Sequence, residues 1–444
     1  MQATSTDRRR FLKTISQAGA IGTLWATSAS AAQTEARRDD VTVRSDTSWD
    51  EVRRLFELRR DRIHMAGMVM ASHPVPVTRA IETHRLELQR DPVRYIDENR
   101  WRLEGDVLKA AAHYLNAAVQ DIALTDSTSM GLGLLYTGLR LDNRHEILTT
   151  THDHYATETA IAACADRTGC SVRRVPMYRD LASVTSDELV DSIRGAVSAK
   201  TRVVAVTWVH SSTGLKIPIR RIGDLIQELN ARRAEQDRIY FCVDGVHALG
   251  IEDFTLPDLN CDFWVAGTHK WLFGPRGTGV LWGRANAWTM TRPTIPTWEP
   301  AEFQAWIGWR PKSAIGGGQL MTPGGYHSFD HRWALGSAFE LHERLGKARV
   351  QTRIHSLNRQ LKEGLRKIKG VQLYTPMSEA LSSGIVCFDV GSLPAQAVVD
   401  KLFDKGIVAS RTPYKASFAR LCPSLLTLES DVERTLQAVA TLTV

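Results

Sequence analysis

The chain has 444 residues, 43% of them hydrophobic and 24% charged, which excludes a disordered or fibrous polypeptide and suggests one large domain with a smaller partner, or roughly two or three domains. The net charge of +7 is spread along the sequence, which argues against a nucleic-acid partner, and six cysteines in such a length do not make a disulfide scaffold. Beyond the N-terminal segment no uncharged apolar run reaches the ~18 residues of a membrane-spanning helix, so a polytopic membrane protein is excluded.

The N-terminus reads Asp7-Arg8-Arg9-Arg10-Phe11-Leu12-Lys13, then a mildly apolar stretch from Ile15 to Ala26, then Ala29-Ser30-Ala31-Ala32. A positive region, an apolar region and a small-residue site in that order predict a signal peptide over residues 1–31. Its Arg-Arg-x-Phe-Leu-Lys core resembles the twin-arginine signal, with Asp7 where that pattern prefers Ser or Thr. A basic amphipathic helix is the alternative. The twin-arginine route carries proteins that are already folded. The expectation is therefore a periplasmic protein that loads any cofactor before export, with the twin-arginine export machinery as a partner and no stable membrane anchor after cleavage. Loss of Arg8, Arg9, Arg10 and Lys13 with Asp7 leaves the remainder less basic, which weakens a nucleic-acid reading further. Cys164 and Cys170 are close enough in sequence to pair, but thiols that meet oxidant only after folding are expected to be buried and free.

Residues 32–48 are polar and charged and read as a linker. From Trp49 to Arg60 the apolar spacing is helical, and Ile63-His64-Met65 with Ser72-His73-Pro74 read as a short extended entry. Apolar, β-rich runs then follow at 122–124, 146–150, 172–175, 202–208, 239–243, 262–265 and 279–282. Helical patterns lie between several of them, at 130–139, 157–168, 186–196 and 219–236. Strand–helix alternation predicts an α/β fold with a mostly parallel seven-stranded sheet covered by helices on both faces. A long helical pattern from Asp330 through Leu345 to Leu365 leads into a second alternation, with runs at 384–390, 407–410 and 418–421, which predicts a smaller α+β C-terminal domain. The expected division is residues 49–329 for the large domain, N-terminal segment included, and 330–444 for the small one.

Ligands of such sheets sit beyond the carboxyl ends of the strands, so the residues just after each strand are the candidates for chemistry. Lys270, in Ala266-Gly267-Thr268-His269-Lys270-Trp271, follows a buried-looking strand; a desolvated lysine there is a Schiff-base nucleophile, although a surface lysine in a loop is the plainer alternative. Asp244 ends another strand, in Val243-Asp244-Gly245-Val246-His247, where it pairs with a cation in the crevice such as a protonated pyridine nitrogen, or simply caps a helix. The turn Thr125-Asp126-Ser127-Thr128-Ser129-Met130-Gly131-Leu132-Gly133 offers hydroxyls and free N–H groups to an anion. A dinucleotide fingerprint fails there, because its third glycine falls at Tyr136. In Thr151-His152-Asp153-His154 a metal is the weaker reading and an imidazole stacked on a planar ring the stronger. Ser211 ends a further strand, and Arg420 is a bidentate partner for a carboxylate.

The order and spacing of these features, with Gly274-Pro275-Arg276-Gly277-Thr278-Gly279 after the lysine, resemble the class V aminotransferase family, of fold type I and dependent on pyridoxal 5'-phosphate, over roughly residues 60–440. The Asp-Gly-Val-His stretch, His269-Lys270-Trp271-Leu272-Phe273-Gly274 and Phe329-Asp330-His331-Arg332-Trp333-Ala334 look closest to the isopenicillin N epimerase-like branch. The resemblance implies that Lys270 carries the cofactor and moves the α-proton, that Asp244 pairs with the pyridine nitrogen, and that His154 stacks on the ring. His247 and Ser211 would bond the ring hydroxyl. Thr128, Ser129 and the Met130 amide would hold the phosphate, with Thr268 and His269, and Arg420 would hold the carboxylate of a small amino-group substrate. It also implies a homodimer, with a cross-subunit phosphate contact near Thr322-Pro323-Gly324-Gly325-Tyr326.

The same residues serve transamination and epimerisation at Cα. Desulfuration is disfavoured, since the stretch from Arg411 to Phe418 holds no cysteine and Cys422 follows Arg420. A non-catalytic binding protein would be expected to have lost Lys270 or Asp244. Periplasmic members of this branch include an enzyme that modifies the glutamate of a pyoverdine siderophore. The signal, together with His64-Met65-Ala66-Gly67 and Ala71-Ser72-His73-Pro74, is similar to that type.

Overall fold

A computed structural model describes residues 43–311 and 315–442. The expected signal peptide and the first part of the linker lie outside the described residues. The chain enters through the helix Trp49–Arg54, capped by Ser48, whose hydroxyl meets the Glu51 N–H while the Glu51 carboxylate accepts the Ser48 N–H at 2.9 Å. After it comes a two-residue strand, β1 (Ile63–His64).

The seven apolar runs form one sheet. Its strands are β2 (Ile122–Thr125), β3 (Glu146–Thr150), β4 (Ser171–Val175), β5 (Thr201–Thr207), β6 (Tyr240–Asp244), β7 (Phe263–Gly267) and β8 (Gly279–Gly283), in the order β2-β8-β7-β6-β5-β3-β4. Neighbours from β7 to β4 run parallel, and β8 is antiparallel to both β7 and β2. Strands β5, β6 and β7 are buried throughout, which explains why they read as unbroken apolar runs rather than alternations. Alternate residues still face opposite sides. Leu148, Val204, Phe241 and Trp264 enter one core, and Ile147, Val203, Cys242 and Phe263 enter the other. Helices therefore cover both faces. The edge strand β4 carries Arg173 and Arg174, charges that discourage a further strand from pairing.

The crossover helices are Thr128–Gly138, Tyr155–Thr168, Ser186–Ala196 and Ile219–Asn230. The last stops short of the expected Gln236, where the Asn230 side chain turns to bond both the N–H and the carbonyl of Ile239 at the foot of β6. Two helices at Val75–Arg90 and Pro92–Leu115 were not singled out in the sequence. The first buries only Val77 and Ile81, too narrow a stripe to stand out from its charged surroundings.

The expected long helix from 330 to 365 is two helices, Phe329–Leu345 and Lys347–Lys367. They break at Gly346, whose φ of +82° is favourable only for glycine. The first shares its core with the two N-terminal helices through Ala334, Leu335, Ala338 and Phe339. The second covers a four-stranded antiparallel sheet ordered β12-β13-β10-β9, made of β9 (Val371–Leu373), β10 (Val386–Val390), β12 (Ser410–Arg411) and β13 (Ala419–Leu421). The remaining strand, β11 (Ile407–Val408), pairs in parallel with β1, so Ile63 and Met65 join the C-terminal core rather than that of the large sheet. All six cysteines are buried and unbridged.

Candidate active site

A cavity of about 260 Å³ lies where the carboxyl ends of β2, β3, β5, β6 and β7 meet the C-terminal part. Ser127, Thr128 and Ser129 come from the turn after β2, His154 from after β3, Thr207 and Ser211 from the end of β5, Asp244 and His247 from β6, and His269 and Lys270 from after β7. Arg420 on β13 and Pro413 close it from the C-terminal part, and Met68 and Val69 from the N-terminal segment.

Lys270 Nζ lies 3.4 Å from His247 Nε2. Burial pushes its amine down to about 8, against the opposing pull of the Asp244 carboxylate. His247 is buried, which holds its imidazole neutral well below the usual range, and its Nδ1 accepts from Trp271 Nε1 at 3.4 Å. With Nδ1 accepting, the ring proton belongs on Nε2, facing the lysine. Asp244 is 2% exposed, and burial pushes its carboxyl up to about 6, while the Val246 N–H at 3.2 Å and the charge of Lys270 pull it down. Thr157 reaches it only at 3.5 Å. A buried carboxylate with so few donors favours a cationic or N–H partner in the cavity.

His154 caps the helix Tyr155–Thr168, with Nδ1 accepting the Ala156 N–H at 3.2 Å, and burial keeps the ring neutral. Its turn is rigid, because Asp153 Oδ2 accepts from the Thr149 hydroxyl, the Thr150 N–H and the Thr150 hydroxyl at 2.7 to 2.9 Å. His152 turns away to stack on Tyr178, centroids 4.5 Å apart. Among the described residues no group of three or more His, Cys, Asp or Glu side chains is placed to hold a metal ion.

The anion turn differs from expectation in two groups. The Met130 amide is taken by the Ser127 hydroxyl at 3.1 Å, which caps the helix, and Met130 does not line the cavity. The Thr268 hydroxyl is fully buried against Thr278 and likewise does not line the cavity. Ser127, Thr128, Ser129 and His269 do line it, and Thr128 Oγ1 accepts the Gly267 N–H at 2.7 Å, joining the turn to the end of β7. Gly131, weighed above for a dinucleotide turn, allows close packing instead: a Cβ there would meet Val265 Cγ1 at 2.5 Å. Thr322, at the expected cross-subunit segment, spends its hydroxyl within its own chain, on the Leu124 N–H and the Gly318 carbonyl.

Arg420 is 5% exposed. It donates to the Ser211 carbonyl, the Arg411 carbonyl and Ser410 Oγ at 3.0 to 3.1 Å, and no carboxylate among the described residues forms an ion pair with it. A buried guanidinium held on neutral acceptors at a cavity wall is ready for a ligand carboxylate. Tyr414, which the sequence did not flag, bonds Ser211 Oγ through its hydroxyl at 2.8 Å. A lone tyrosine in a polar loop carries no signal of its own.

These groups fit pyridoxal 5'-phosphate. Hydroxyls at a helix N-terminus suit the phosphate, Asp244 suits the ring nitrogen, His154 suits a ring face, and the Lys270 amine suits the aldehyde carbon. The hydroxyl of Thr207, in the cavity wall, has no hydrogen-bond partner among the described residues, as expected where a polar ligand binds.

A family model described as aminotransferase class-V matches residues 106–412. The chain is 25% identical to isopenicillin N epimerase of Streptomyces clavuligerus over 371 residues, covering 81% of this chain and 89% of that one. It is 26% identical to a cysteine desulfurase of Klebsiella pneumoniae over 315 residues, 68% of this chain and 70% of that one. Among solved structures, a variant of C-DES with glycine covalently linked to its pyridoxal phosphate cofactor superposes with a TM-score of 0.76 at 23% identity, over 87% of this chain and 98% of that one. A cysteine desulfurase from Thermococcus onnurineus gives a TM-score of 0.76 at 20% identity, over 89% of this chain and 98% of that one.

Proposed function

We propose, for a chain that belongs to the aminotransferase class V family, a pyridoxal-phosphate-dependent enzyme that breaks the Cα–H bond of an amino acid, free or within a larger metabolite, and carries out transamination or epimerisation at Cα. The observation that carries this reading is one cavity wall that holds the Lys270 amine 3.4 Å from His247, the buried Asp244 carboxylate, and the Arg420 guanidinium, which forms no ion pair among the described residues.

When bound, the cofactor supplies an electron sink for the pair left by the departing proton. Arg420 holds the substrate carboxylate and so fixes how Cα is presented. The lowered amine of Lys270 gives up its proton near pH 8 rather than near 10.5, and its deprotonated form is able to take a proton from Cα and return it. His247, neutral and 3.4 Å away, can hand a hydrogen bond to that amine once it is deprotonated, without adding charge. Asp244 would keep its negative charge once a cation meets it in the cavity. His154, in the cavity wall, would cover one face of the ring.

A cysteine desulfurase-type reaction needs a thiol at the substrate. No cysteine lines the cavity, and Cys422, the one nearest Arg420 in sequence, is fully buried with its thiol pushed up to about 12 by burial. That argues for chemistry at Cα rather than at sulfur. A non-catalytic role is opposed by the presence of both Lys270 and Asp244.

The proposal extends to place and substrate. The N-terminal segment supports export by the twin-arginine route to the periplasm, and with it a tailoring role on an amino-acid residue of a secreted siderophore of the pyoverdine type. The family also supports a homodimer.

The decisive experiment records the absorption spectrum of purified protein with pyridoxal phosphate, before and after Lys270→Ala. The wild type should gain the band of a lysine-bound cofactor and the variant should not; a wild type without the band overturns the proposal. Product analysis in heavy water then separates inversion at Cα from transfer of the amino group. Turnover of free amino acids with pyoverdine precursors left unchanged would overturn the siderophore reading alone.

A further inference from the structure

Ser211 is gripped twice from the C-terminal part. Arg420 Nη1 donates to its carbonyl at 3.0 Å, and the Tyr414 hydroxyl lies 2.8 Å from its Oγ. Tyr414 sits in the loop between β12 and β13, and that loop is braced at its base. Thr412, fully buried, donates its N–H to the Phe418 carbonyl at 2.9 Å and accepts the Phe418 N–H on its hydroxyl at 2.9 Å. Ser417 donates to the Thr412 carbonyl at 2.8 Å, and Phe418 stacks on Tyr374 with centroids 3.9 Å apart. Pro413, Lys415 and Ala416 are exposed around it, while Tyr414 turns inward, edge-on to the His154 ring at 6.2 Å.

A hydroxyl has one proton to give and two lone pairs to receive with. Burial pushes the Tyr414 phenol up to about 12, so it keeps its proton through the neutral range. A phenol is a stronger acid than a serine alcohol, so in this pair Tyr414 donates and Ser211 accepts. The Ser211 proton is then free to be given elsewhere, and Ser211 lines the cavity.

We propose that Tyr414 is a positioning residue that locks the Ser211 hydroxyl as a hydrogen-bond donor into the cavity, toward the ring oxygen of the cofactor, and that Arg420, bonded to the same serine, ties this donor to the carboxylate site. The inference rests on the cofactor reading above. It gives the C-terminal loop a way to influence the cofactor ring without touching it. No covalent step is involved.

The test uses the full chain loaded with pyridoxal phosphate. The absorption band of the lysine-bound cofactor is titrated with pH in wild type, Tyr414→Phe, Ser211→Ala and the double variant. A donor at the ring oxygen withdraws charge from it and lowers the pH at which the adjoining nitrogen loses its proton. Tyr414→Phe keeps the ring against His154 and removes only the hydroxyl. It should raise the midpoint by about half a pH unit or more, the scale that one hydrogen bond carries. Ser211→Ala, which breaks the same bond from the other end, should raise it at least as far, and the double variant no further. A purely structural role would leave the midpoint in place. A wild-type band whose midpoint moves in neither variant, or moves in Ser211→Ala alone, overturns the inference while leaving the cofactor reading intact. Additive shifts in the double variant overturn it as well. A wild type with no band overturns both.

Discussion

Asp244→Asn probes what burial does to the site before any cofactor binds. Burial pushes the Asp244 carboxyl from its ordinary 3.8 to about 6. That gap of about two pH units corresponds to ~3 kcal/mol at about 1.36 kcal/mol per unit. A raised carboxyl favours the folded state fully below 3.8, and the advantage is lost as pH rises through about 6. Above that pH the cofactor-free protein carries a buried charge that an asparagine of the same shape does not. Asp244→Asn should therefore be more stable than wild type at pH 7 without cofactor, by up to ~3 kcal/mol, with the difference shrinking toward pH 4. Urea unfolding of both proteins between about pH 4.5 and 7.5 measures it directly. Adding pyridoxal phosphate should reverse the order, since only the carboxylate meets the ring nitrogen with opposite charge. A variant no more stable than wild type at pH 7, or one whose advantage is flat with pH, refutes the reasoning.

The lowered Lys270 pKa predicts that acetylation of the cofactor-free protein speeds up with a midpoint near pH 8, a component missing from Lys270→Ala; a midpoint near the ordinary 10.5 would mean that the amine is not desolvated. Arg420→Lys should lower kcat/KM about a hundredfold for substrates with a free carboxylate and far less for the corresponding amides, as steady-state kinetics would show. Gly131→Ala should cost about 1–3 kcal/mol in urea unfolding, because its Cβ meets Val265 at 2.5 Å. Gly133→Ala, where nothing lies within 4 Å, should leave stability unchanged or raise it slightly.

Short-range patterning carried most of the scaffold. The central strands of the large sheet announce themselves because they are buried, and a parallel strand covered on both faces must be apolar along its length, whereas the edge strand β4 is largely exposed and charged. Lys270, Asp244, His154 and Ser211 were legible for a related reason: the fold places its ligands at strand ends, so a polar residue directly after an apolar run is conspicuous. Met130 and Thr268 followed the same logic and were assigned to the anion, but a backbone amide or hydroxyl has one proton, and in both cases a neighbour in the chain had already claimed it.

What local pattern could not supply was decided by contacts between distant segments. The helices at 75–115 are half-solvated and gain their definition by packing on the helix Phe329–Leu345. Strand β1 exists because β11, more than 300 residues later, offers it a partner. Tyr414 reaches Ser211 across 203 positions of sequence. The strand ends that line the cavity could be picked out from local pattern, because burial and capping are written in neighbouring residues. Tertiary structure alone decided how the C-terminal loop closes on those ends, because a hydrogen bond between remote segments depends on where packing sets the two backbones, and no local pattern of residues encodes that distance.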